Sequence, residues 1–285
     1  MASNQTLAIV GCGNMGSAIL SGLLDATRSH PKPRISRFIV STKTVTSADR
    51  LRSRFADEKH RLRVAHDYNI QAMKEADIII LGCKPHMAEE VLGEEGAKEA
   101  LIGKFLISVL GGKTPQVLEG YIHKDGAPNE KPHVVRAMPN IAAQIHQSMT
   151  IVENNPSLPV ELRDSLMWIF EQIGKVKVLT TDVFDIGSML VGSSMAVLSV
   201  GLDGILDGCV MEGILRVEAL EMTAQCLSGM AELLRQGEHP ARFRERISSP
   251  RGSTITGLLT VEKAGVRGVF AQSMIDGTRR LQGQF

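Results

Sequence analysis

The sequence predicts an α/β Rossmann-like doubly wound N-terminal domain followed by an all-α C-terminal dimerisation domain. Over the first part of the chain, short apolar runs rich in Val and Ile alternate with segments of helical periodicity. This alternation is typical of a parallel sheet covered by helices on both faces. From about Asp182 onwards the spacing is helical throughout. We therefore expect two domains, at residues 1–180 and 181–285.

Eight apolar runs predict the strands of the sheet. The run Ile78–Leu81 contains no polar residue, which favours a central strand that is buried on both faces. Two proline-containing inserts, Ser29–Arg37 and Lys124–His133, are expected to be surface loops. In chain order, the predicted strands are Leu7–Val10, Phe38–Ser41, Leu62–Ala65, Ile78–Leu81, Phe105–Val109, Val134–Met138, Met149–Glu153 and Val176–Leu179.

Helical periodicity fills the intervals between these strands and continues through the C-terminal part. The helices predicted between strands are Asn14–Leu24, Ala48–Phe55, Ile70–Glu75, Met87–Ala100, Pro115–Tyr121 and Leu158–Ile173. Those of the C-terminal domain are Asp182–Asp207, Ile214–Gln236 and Val266–Leu281. The helix from Asp182 is rich in glycine, which costs about 1 kcal/mol per residue in an isolated helix. Burial against a close neighbour would offset that cost, so we expect this helix to lie in a core that closes across a dimer.

Composition and charge exclude several functional classes. The net charge of +1 gives no reason to expect nucleic acid or an anionic membrane as a partner. The four cysteines are widely spaced and the histidines are scattered singly, so we expect reduced thiols and no metal site. The first predicted strand begins within a few residues of the N-terminus, so we expect no signal or transit peptide. We also expect no apolar run long enough to cross a bilayer. The expected location is the cytoplasm.

A glycine-rich turn follows the first predicted strand. Gly11 would allow the tight turn, Gly13 would let the backbone approach a pyrophosphate, and Gly16 would let the next helix pack against the strand. The N-terminus of that helix offers unpaired N–H groups to phosphate oxygens. Because the turn lies between a strand and a helix of an alternating α/β run, it predicts a dinucleotide site.

The end of the second predicted strand indicates which dinucleotide binds. NAD-binding domains usually place an acidic residue there to hold the ribose 2′-hydroxyl. Here the strand ends in Val40-Ser41-Thr42-Lys43-Thr44 and carries no acid. Hydroxyl groups and a cation suit a 2′-phosphate, so we predict NADP(H), with NADPH preferred over NADH. The alternative is an ordinary loop with a solvated lysine.

Three further segments, together with the glycine turn, resemble the pyrroline-5-carboxylate reductase family. They are Gly82-Cys83-Lys84-Pro85, Val135-Arg136-Ala137-Met138-Pro139-Asn140, and the stretch from Ser248 to Leu258. The resemblance spans essentially the whole chain. It implies NAD(P)H-dependent reduction of 1-pyrroline-5-carboxylate to proline, the last step of proline synthesis. It also implies a homodimer that assembles further, commonly into a decamer.

The resemblance implies a set of cofactor-binding residues. Those matched to the diphosphate are Gly11, Gly13, Asn14, Met15 and Gly16. Ser41, Thr42 and Lys43 would surround the 2′-phosphate, and Asn69 would face the adenosine ribose. The residues matched to the nicotinamide half are Cys83, Lys84, Pro85 and Gly111. Lys84 could equally be a surface cation that caps a helix.

A second set of residues is matched to the substrate. These are Ser249, Arg251, Gly252, Ser253 and Thr254, which lead into a helix predicted at Ile255–Lys263. The N–H groups at such a helix start can hold a carboxylate. In the family, the residue matched by Thr254 contacts the imine nitrogen side, so Thr254 is the expected catalytic residue. On the residues alone, Ser249, Ser253 and Thr254 could simply cap the helix.

The substrate side departs from the family pattern at three positions. Met195 replaces the proline of Gly-Ser-Gly-Pro-Ala, Arg251 replaces the first glycine of Ser-Pro-Gly-Gly, and Thr181 replaces an acidic residue. These changes leave two alternatives open. The chain could reduce a different cyclic imine in a specialised pathway, or it could be an NADP-binding regulatory protein that has lost catalysis.

Overall fold

The computed structural model describes residues 4–28, 33–123 and 131–284. The chain divides into two compact units. The first unit comprises residues 1–193 together with 278–285, and the second unit comprises residues 194–277. The division falls later in the chain than residue 180, where the sequence places the domain boundary, because the helix that follows residue 180 packs against the sheet.

An eight-stranded sheet forms the centre of the first unit. Its strands are β1 (Gln5–Val10), β2 (Ile35–Thr42), β3 (Leu62–His66), β4 (Ile78–Leu81), β5 (Phe105–Ser108), β6 (His133–Met138), β7 (Ser148–Glu153) and β8 (Gly174–Leu179). The spatial order is β3-β2-β1-β4-β5-β6-β7-β8. All neighbouring pairs are parallel except β6 and β7, which are antiparallel. The eight predicted strands are therefore confirmed, and the antiparallel pair is a feature that the sequence did not reveal.

The central strands are buried on both faces, as their composition predicts. Leu7 and Ile9 of β1 belong to one apolar cluster, whereas Ala8 and Val10 belong to another. Alternate residues of a strand point to opposite faces, so each cluster marks one covered side of the sheet. The side chains of β4 are at most 1% exposed. This double burial requires helices on both faces.

Thirteen α-helices lie in the described part of the chain. They are α1 (Asn14–Thr27), α2 (Val45–Arg54), α3 (Asn69–Glu75), α4 (Ala88–Leu92), α5 (Ala97–Ala100), α6 (Pro115–Ile122), α7 (Val160–Glu171), α8 (Thr181–Ser188), α9 (Ser194–Met211), α10 (Arg216–Arg235), α11 (Pro240–Arg246), α12 (Ser253–Lys263) and α13 (Val266–Leu281).

Some predicted elements differ from the observed ones. The single helix predicted at Met87–Ala100 is divided into α4 and α5, since Gly93 ends α4 and Gly96 adopts a left-handed φ of 86°. Helix α11 was not predicted, and the His239 side chain caps it by accepting a hydrogen bond from the Ala241 N–H at 3.2 Å. The predicted surface loops overlap β2 and β6, and their residues 29–32 and 124–130 lie outside the described part.

The long helix predicted at Asp182–Asp207 is wrong as a continuous α-helix. A π-helical turn, Met189–Ser193, separates α8 from α9. Helix α8 lies directly on the sheet, since a Cβ added at Gly187 would lie 2.4 Å from Leu179 Cδ1 and 3.0 Å from Ile151 Cδ1. This close packing explains why the first unit extends to Ser193. A π-turn inside a helix is often found at functional sites.

The stretch Thr181–Met211 corrects one expectation. By length and composition alone this stretch is long and apolar enough to cross a membrane. The expectation that the chain contains no run of that length is therefore wrong. The reason is that apolar and small residues continue without interruption through the π-turn. Its first part, α8, packs on the sheet and carries Asp185, which is ion-paired with Arg136 at 3.2 Å. We therefore interpret α8, the first part of the stretch, as belonging to the packed first unit.

The second unit has almost no core of its own. Among residues 194–277, all of which the structure describes, the buried apolar side chains are Leu206 and Ala219. Other apolar side chains of α9 are exposed, including Leu198 at 55%, Val200 at 75% and Met211 at 85%. Large exposed apolar surfaces often mark sites of protein–protein contact.

Candidate functional site

The glycine turn lies at the carboxyl edge of β1, between β2 and β4. In doubly wound sheets this reversal of strand order is where ligands bind. Gly11 has a left-handed φ of 84°, which favours glycine. A Cβ at this position would also lie only 2.5 Å from the Cα and backbone nitrogen of Cys83. Two independent constraints therefore require glycine at position 11.

The other two glycines fit the roles predicted for them. A Cβ added at Gly13 would meet no atom within 4 Å, whereas one at Gly16 would lie 3.1 Å from Ile9 Cγ2. Gly13 is the N-cap residue of α1, and no side-chain hydrogen bond caps this helix end. Gly13 thus leaves open space beside the α1 N-terminus, and Gly16 lets α1 approach β1. Asn14 and Met15, also predicted cofactor residues, form the start of α1.

A cavity of about 400 Å³ opens beside this turn. Five predicted cofactor residues are among those that line it, and the full set is Val10, Gly11, Thr42, Lys43, Asp67, Asn69, Cys83, Met87, Glu90, Val91 and Glu94. The strand ends of β2, β3 and β4 and the helix α4 contribute these side chains. We refer to this space as the glycine-turn cavity.

Ser41 and Thr42 point their hydroxyl groups into the protein. Ser41 is fully buried, and its Oγ donates a hydrogen bond to Asn69 Oδ1 at 2.8 Å. Thr42 is 4% exposed, and its Oγ1 donates to the Thr44 carbonyl oxygen at 2.9 Å. Among the three residues predicted around the 2′-phosphate, Lys43 is the one whose side chain is exposed. Ser41 instead orients the Asn69 amide at the cavity wall.

Acidic residues at this cavity were missed by the sequence analysis. Asp67 follows β3 in a left-handed conformation with φ 49°, and Glu90 and Glu94 extend from the region of α4. Lys43 Nζ lies 3.4 Å from Glu90 Oε1. These carboxylates do not belong to the end of β2, where NAD-binding domains usually carry an acid, but to other elements. Only the tertiary structure brings them to the same cavity as Lys43.

A second cavity, of about 810 Å³, lies further along the same edge of the sheet. Pro85 and Gly111, both predicted on the nicotinamide side, line it together with Arg136, Asp185 and the C-terminal segment 280–283. The turn after β5 is tightly packed there, because a Cβ at Gly112 would lie 3.0 Å from the Leu281 carbonyl oxygen. Lys84 is exposed. It follows Cys83, which lines the glycine-turn cavity, and precedes Pro85, which lines the second cavity.

Neither cysteine near the glycine turn is a thiolate at neutral pH. Burial raises the pKa of the Cys12 thiol to about 11 and, for the same reason, that of Cys83 to about 11. The hydrogen bond partner of Cys12 is Ser17, at 3.7 Å. A neutral thiol is a poor nucleophile, so these residues contribute shape and apolar surface to the site.

Arg136, from the Arg-Ala-Met-Pro-Asn segment at the end of β6, is turned inward. It is 3% exposed, and its guanidinium donates hydrogen bonds to both carboxylate oxygens of Glu153, at 2.8 and 2.9 Å, and to Asp185. The same guanidinium lies 4.3 Å from the centre of the Phe184 ring. This cluster joins β6, β7 and α8 behind the second cavity, and a buried charge of this kind is stable only when it is paired.

The predicted substrate residues lie in the second unit, at the start of α12. This helix begins at Ser253, two residues before the predicted start, with Gly252 as N-cap and no side-chain cap. The alternative that Ser249, Ser253 and Thr254 simply cap the helix is therefore contradicted. None of their hydroxyl groups forms a hydrogen bond within the part of the chain that the structure describes, so the hydroxyl groups and the first N–H groups of α12 remain available.

The turn before α12 holds Arg251 in an unusual conformation. Its φ of 58° is left-handed, and for a residue with a Cβ this conformation costs roughly 1–2 kcal/mol. The neighbouring Gly252 packs closely on Ser249, since a Cβ there would lie 2.4 Å from Ser249 Oγ and 3.1 Å from the Ser249 carbonyl oxygen. Arg251 is exposed. The chain therefore keeps a charged side chain at a position where glycine would be more stable.

Comparisons with known proteins identify relatives of both units. Residues 6–112 match a family model described as NADP oxidoreductase, coenzyme F420-dependent, and residues 181–283 match the pyrroline-5-carboxylate reductase dimerisation model. The chain is 37% identical to the pyrroline-5-carboxylate reductase of Lophium arboricola, over 97% of this chain and 92% of that protein.

Solved structures of similar fold extend over nearly the whole chain. A pyrroline carboxylate reductase from Plasmodium falciparum with NADP bound has a TM-score of 0.83 at 22% identity, covering 99% of both chains. The 1-pyrroline-5-carboxylate reductase from Streptococcus pyogenes has a TM-score of 0.82 at 26% identity, covering 98% of this chain and 99% of its own.

Two alanine substitutions in the glycine turn should separate folding from cofactor binding. Gly11→Ala should destabilise the protein by more than about 1 kcal/mol, because it combines a positive φ with a backbone clash. Gly13→Ala should leave the midpoint of urea unfolding nearly unchanged but weaken NADPH binding, because its Cβ would occupy the open space beside α1. An NADPH dissociation constant that Gly13→Ala leaves unchanged would contradict the assignment of the open space to the diphosphate.

Proposed function

Because the chain belongs to the pyrroline-5-carboxylate reductase family, we propose that it uses NADPH to reduce 1-pyrroline-5-carboxylate to proline. It is an NADP-dependent oxidoreductase that acts on C=N bonds. The observation that carries the proposal is the uncapped start of α12, where the Thr254 hydroxyl and the first N–H groups have no partner among the described residues. Such a helix start suits a small substrate that has a carboxylate beside an imine nitrogen.

The residues of the first unit fit a dinucleotide. Gly13 leaves room for a diphosphate against the α1 N-terminus, and Asn14, Met15 and Gly16 continue that surface. Asn69 accepts a hydrogen bond from Ser41 through Oδ1, which leaves its NH₂ group to donate to a ribose hydroxyl. When bound, the dinucleotide supplies the hydride. The preference for NADPH over NADH is supported by Lys43 and by the absence of an acid at the end of β2.

The substrate turn would carry out three tasks in the reduction. The first N–H groups of α12 would hold the substrate carboxylate, assisted by Ser249 and Ser253. The Thr254 hydroxyl would donate a hydrogen bond to the ring nitrogen and relay a proton to it, regaining its own proton from solvent, as the imine carbon receives hydride. Gly252 lets the turn close against Ser249. Positioning and one proton transfer are sufficient, because the C=N bond is already an electrophile.

The proposal includes assembly into a homodimer through the second unit, followed by further assembly such as a decamer. The support is the scarcity of buried apolar residues in that unit and the exposed apolar surface of α9. The reaction would take place in the cytoplasm, where the four free cysteines of the chain would remain reduced.

A second candidate is the reduction of a different cyclic imine, and Arg251 is the observation that favours it. Its left-handed backbone is costly, yet an arginine stands in the turn directly before the proposed carboxylate site. A guanidinium binds carboxylate and other planar anionic groups well. A substrate that carries an additional anionic or polar group would explain why arginine is kept at this position.

The first prediction for this mechanism concerns Thr254. Thr254→Ala should lower kcat for imine reduction by about 10²-fold to 10⁴-fold, because it removes the proposed proton donor. NADPH affinity should change little. Thr260→Ala is a matched control. The Thr260 hydroxyl lies further along α12 and donates a hydrogen bond to the Thr256 carbonyl oxygen of the preceding turn. If both variants retain wild-type kcat in a steady-state assay, Thr254 has no catalytic role.

A second prediction distinguishes the two candidate substrates. Arg251→Gly relieves the left-handed strain and should raise the free energy of unfolding by about 1 kcal/mol. If Arg251 recognises an extra group, the variant should also favour pyrroline-5-carboxylate over cyclic imines that carry a second anionic group, compared by kcat/KM. Higher stability with an unchanged ratio of kcat/KM values would remove the support for the second candidate.

A third prediction tests the assembly. Val200→Glu places a charge on the exposed apolar surface of α9 and should convert a dimer to monomers at micromolar concentration, because burying an unpaired charge is costly. Val160→Glu makes the same substitution at a 61% exposed position of α7 and should have no effect. Sedimentation velocity measures both. A wild-type monomer at micromolar concentration would contradict the proposed interface.

A further inference from the structure

The glycine-turn cavity contains more acidic than basic groups. The charged residues that line it are Lys43, Asp67, Glu90 and Glu94, so one cation faces three carboxylates. Arg50 and Arg54 of α2 are close enough to Cys12 to lower its thiol pKa slightly, although burial dominates that pKa, and neither arginine lines the cavity. The charge pattern is therefore opposite to what a 2′-phosphate alone would require.

Lys43 is already paired with one of these carboxylates. Its Nζ lies 3.4 Å from Glu90 Oε1, and the two side chains are 65% and 69% exposed. The pair joins the end of β2 to α4 across the mouth of the cavity. An ion pair exposed to this degree is weak, so it can be opened by a competing anion. A 2′-phosphate that binds Lys43 would have to displace Glu90 and then remain close to its charge.

The hydroxyl groups of Ser41 and Thr42 are already engaged. Ser41 donates its hydroxyl proton to Asn69, and Thr42 donates its own to the Thr44 carbonyl oxygen. Of the three residues matched to the 2′-phosphate, Lys43 is therefore the one that can turn a donor towards it, and Glu90 acts directly on that residue. A ribose that carries a 2′-hydroxyl group has no such charge and would not be affected.

We propose that Glu90 is a specificity-determining residue that limits the preference for NADPH by competing with the 2′-phosphate for Lys43. This inference rests on the proposed function, because it assumes that the cavity holds the adenosine half of a dinucleotide. Under this proposal, α4 contributes to cofactor choice together with the end of β2.

The test is a comparison of NADPH and NADH dissociation constants, measured by titration of the full-length protein without imine. Glu90→Gln should tighten NADPH binding about threefold to fivefold, the size expected for release of an exposed ion pair, and leave NADH within about twofold. The gain should shrink at high salt, because exposed charges are screened. Glu95→Gln, an exposed glutamate of the same segment that does not line the cavity, is the matched control and should change neither constant.

A second background tests the route through Lys43. In a Lys43→Gln protein, Glu90→Gln should no longer tighten NADPH binding by more than about twofold. The inference is overturned if Glu90→Gln leaves NADPH binding unchanged, tightens NADH equally, or gives the same gain without Lys43. Imine reduction is assayed separately: its absence alongside the expected dinucleotide affinities would reject the proposed function and leave the role of Glu90 intact.

Discussion

The close approach of two backbone segments, at Gly11 and Cys83, is the constraint on which the rest of the site depends. A Cβ at position 11 would lie 2.5 Å from Cys83 backbone atoms. This contact brings the ends of β1 and β4 together at the reversal of strand order. It thereby aligns the open space at Gly13, the wall formed by Asn69, and the beginning of α4 around one cavity. A side chain at position 11 would force the ends of β1 and β4 apart at the edge of the sheet where the cavity opens.

The two units differ in how much of their apolar surface they bury. In the first unit, each face of the sheet is covered by helices, and the central strands are almost completely buried. The second unit leaves the apolar residues of α9 exposed and buries Leu206 and Ala219. Hydrophobic burial is the main favourable term in folding, so the proposed dimer would supply much of the burial that this unit lacks on its own.

The proposed imine reduction requires little from the protein beyond positioning of the reactants. No thiolate is available near the glycine turn, because burial raises the pKa of Cys12 and Cys83. The available groups are N–H donors, hydroxyl groups and charges at fixed places. Local strain is retained at Arg251, where glycine would be more stable. Strain of this kind is often found at functional positions, and it agrees with a role for Arg251 in substrate choice.

The sequence by itself determined the order of the strands along the chain, the glycine turn and the helical C-terminal part. These features depend on local periodicity and on residues such as Gly11 and Gly16, whose roles follow from short-range geometry. Tertiary structure alone decided that Ser41 and Thr42 face inward, that Glu90 contacts Lys43, and that a π-turn divides the long helix. Each of these depends on which distant segments pack together, and no single stretch of sequence contains that information.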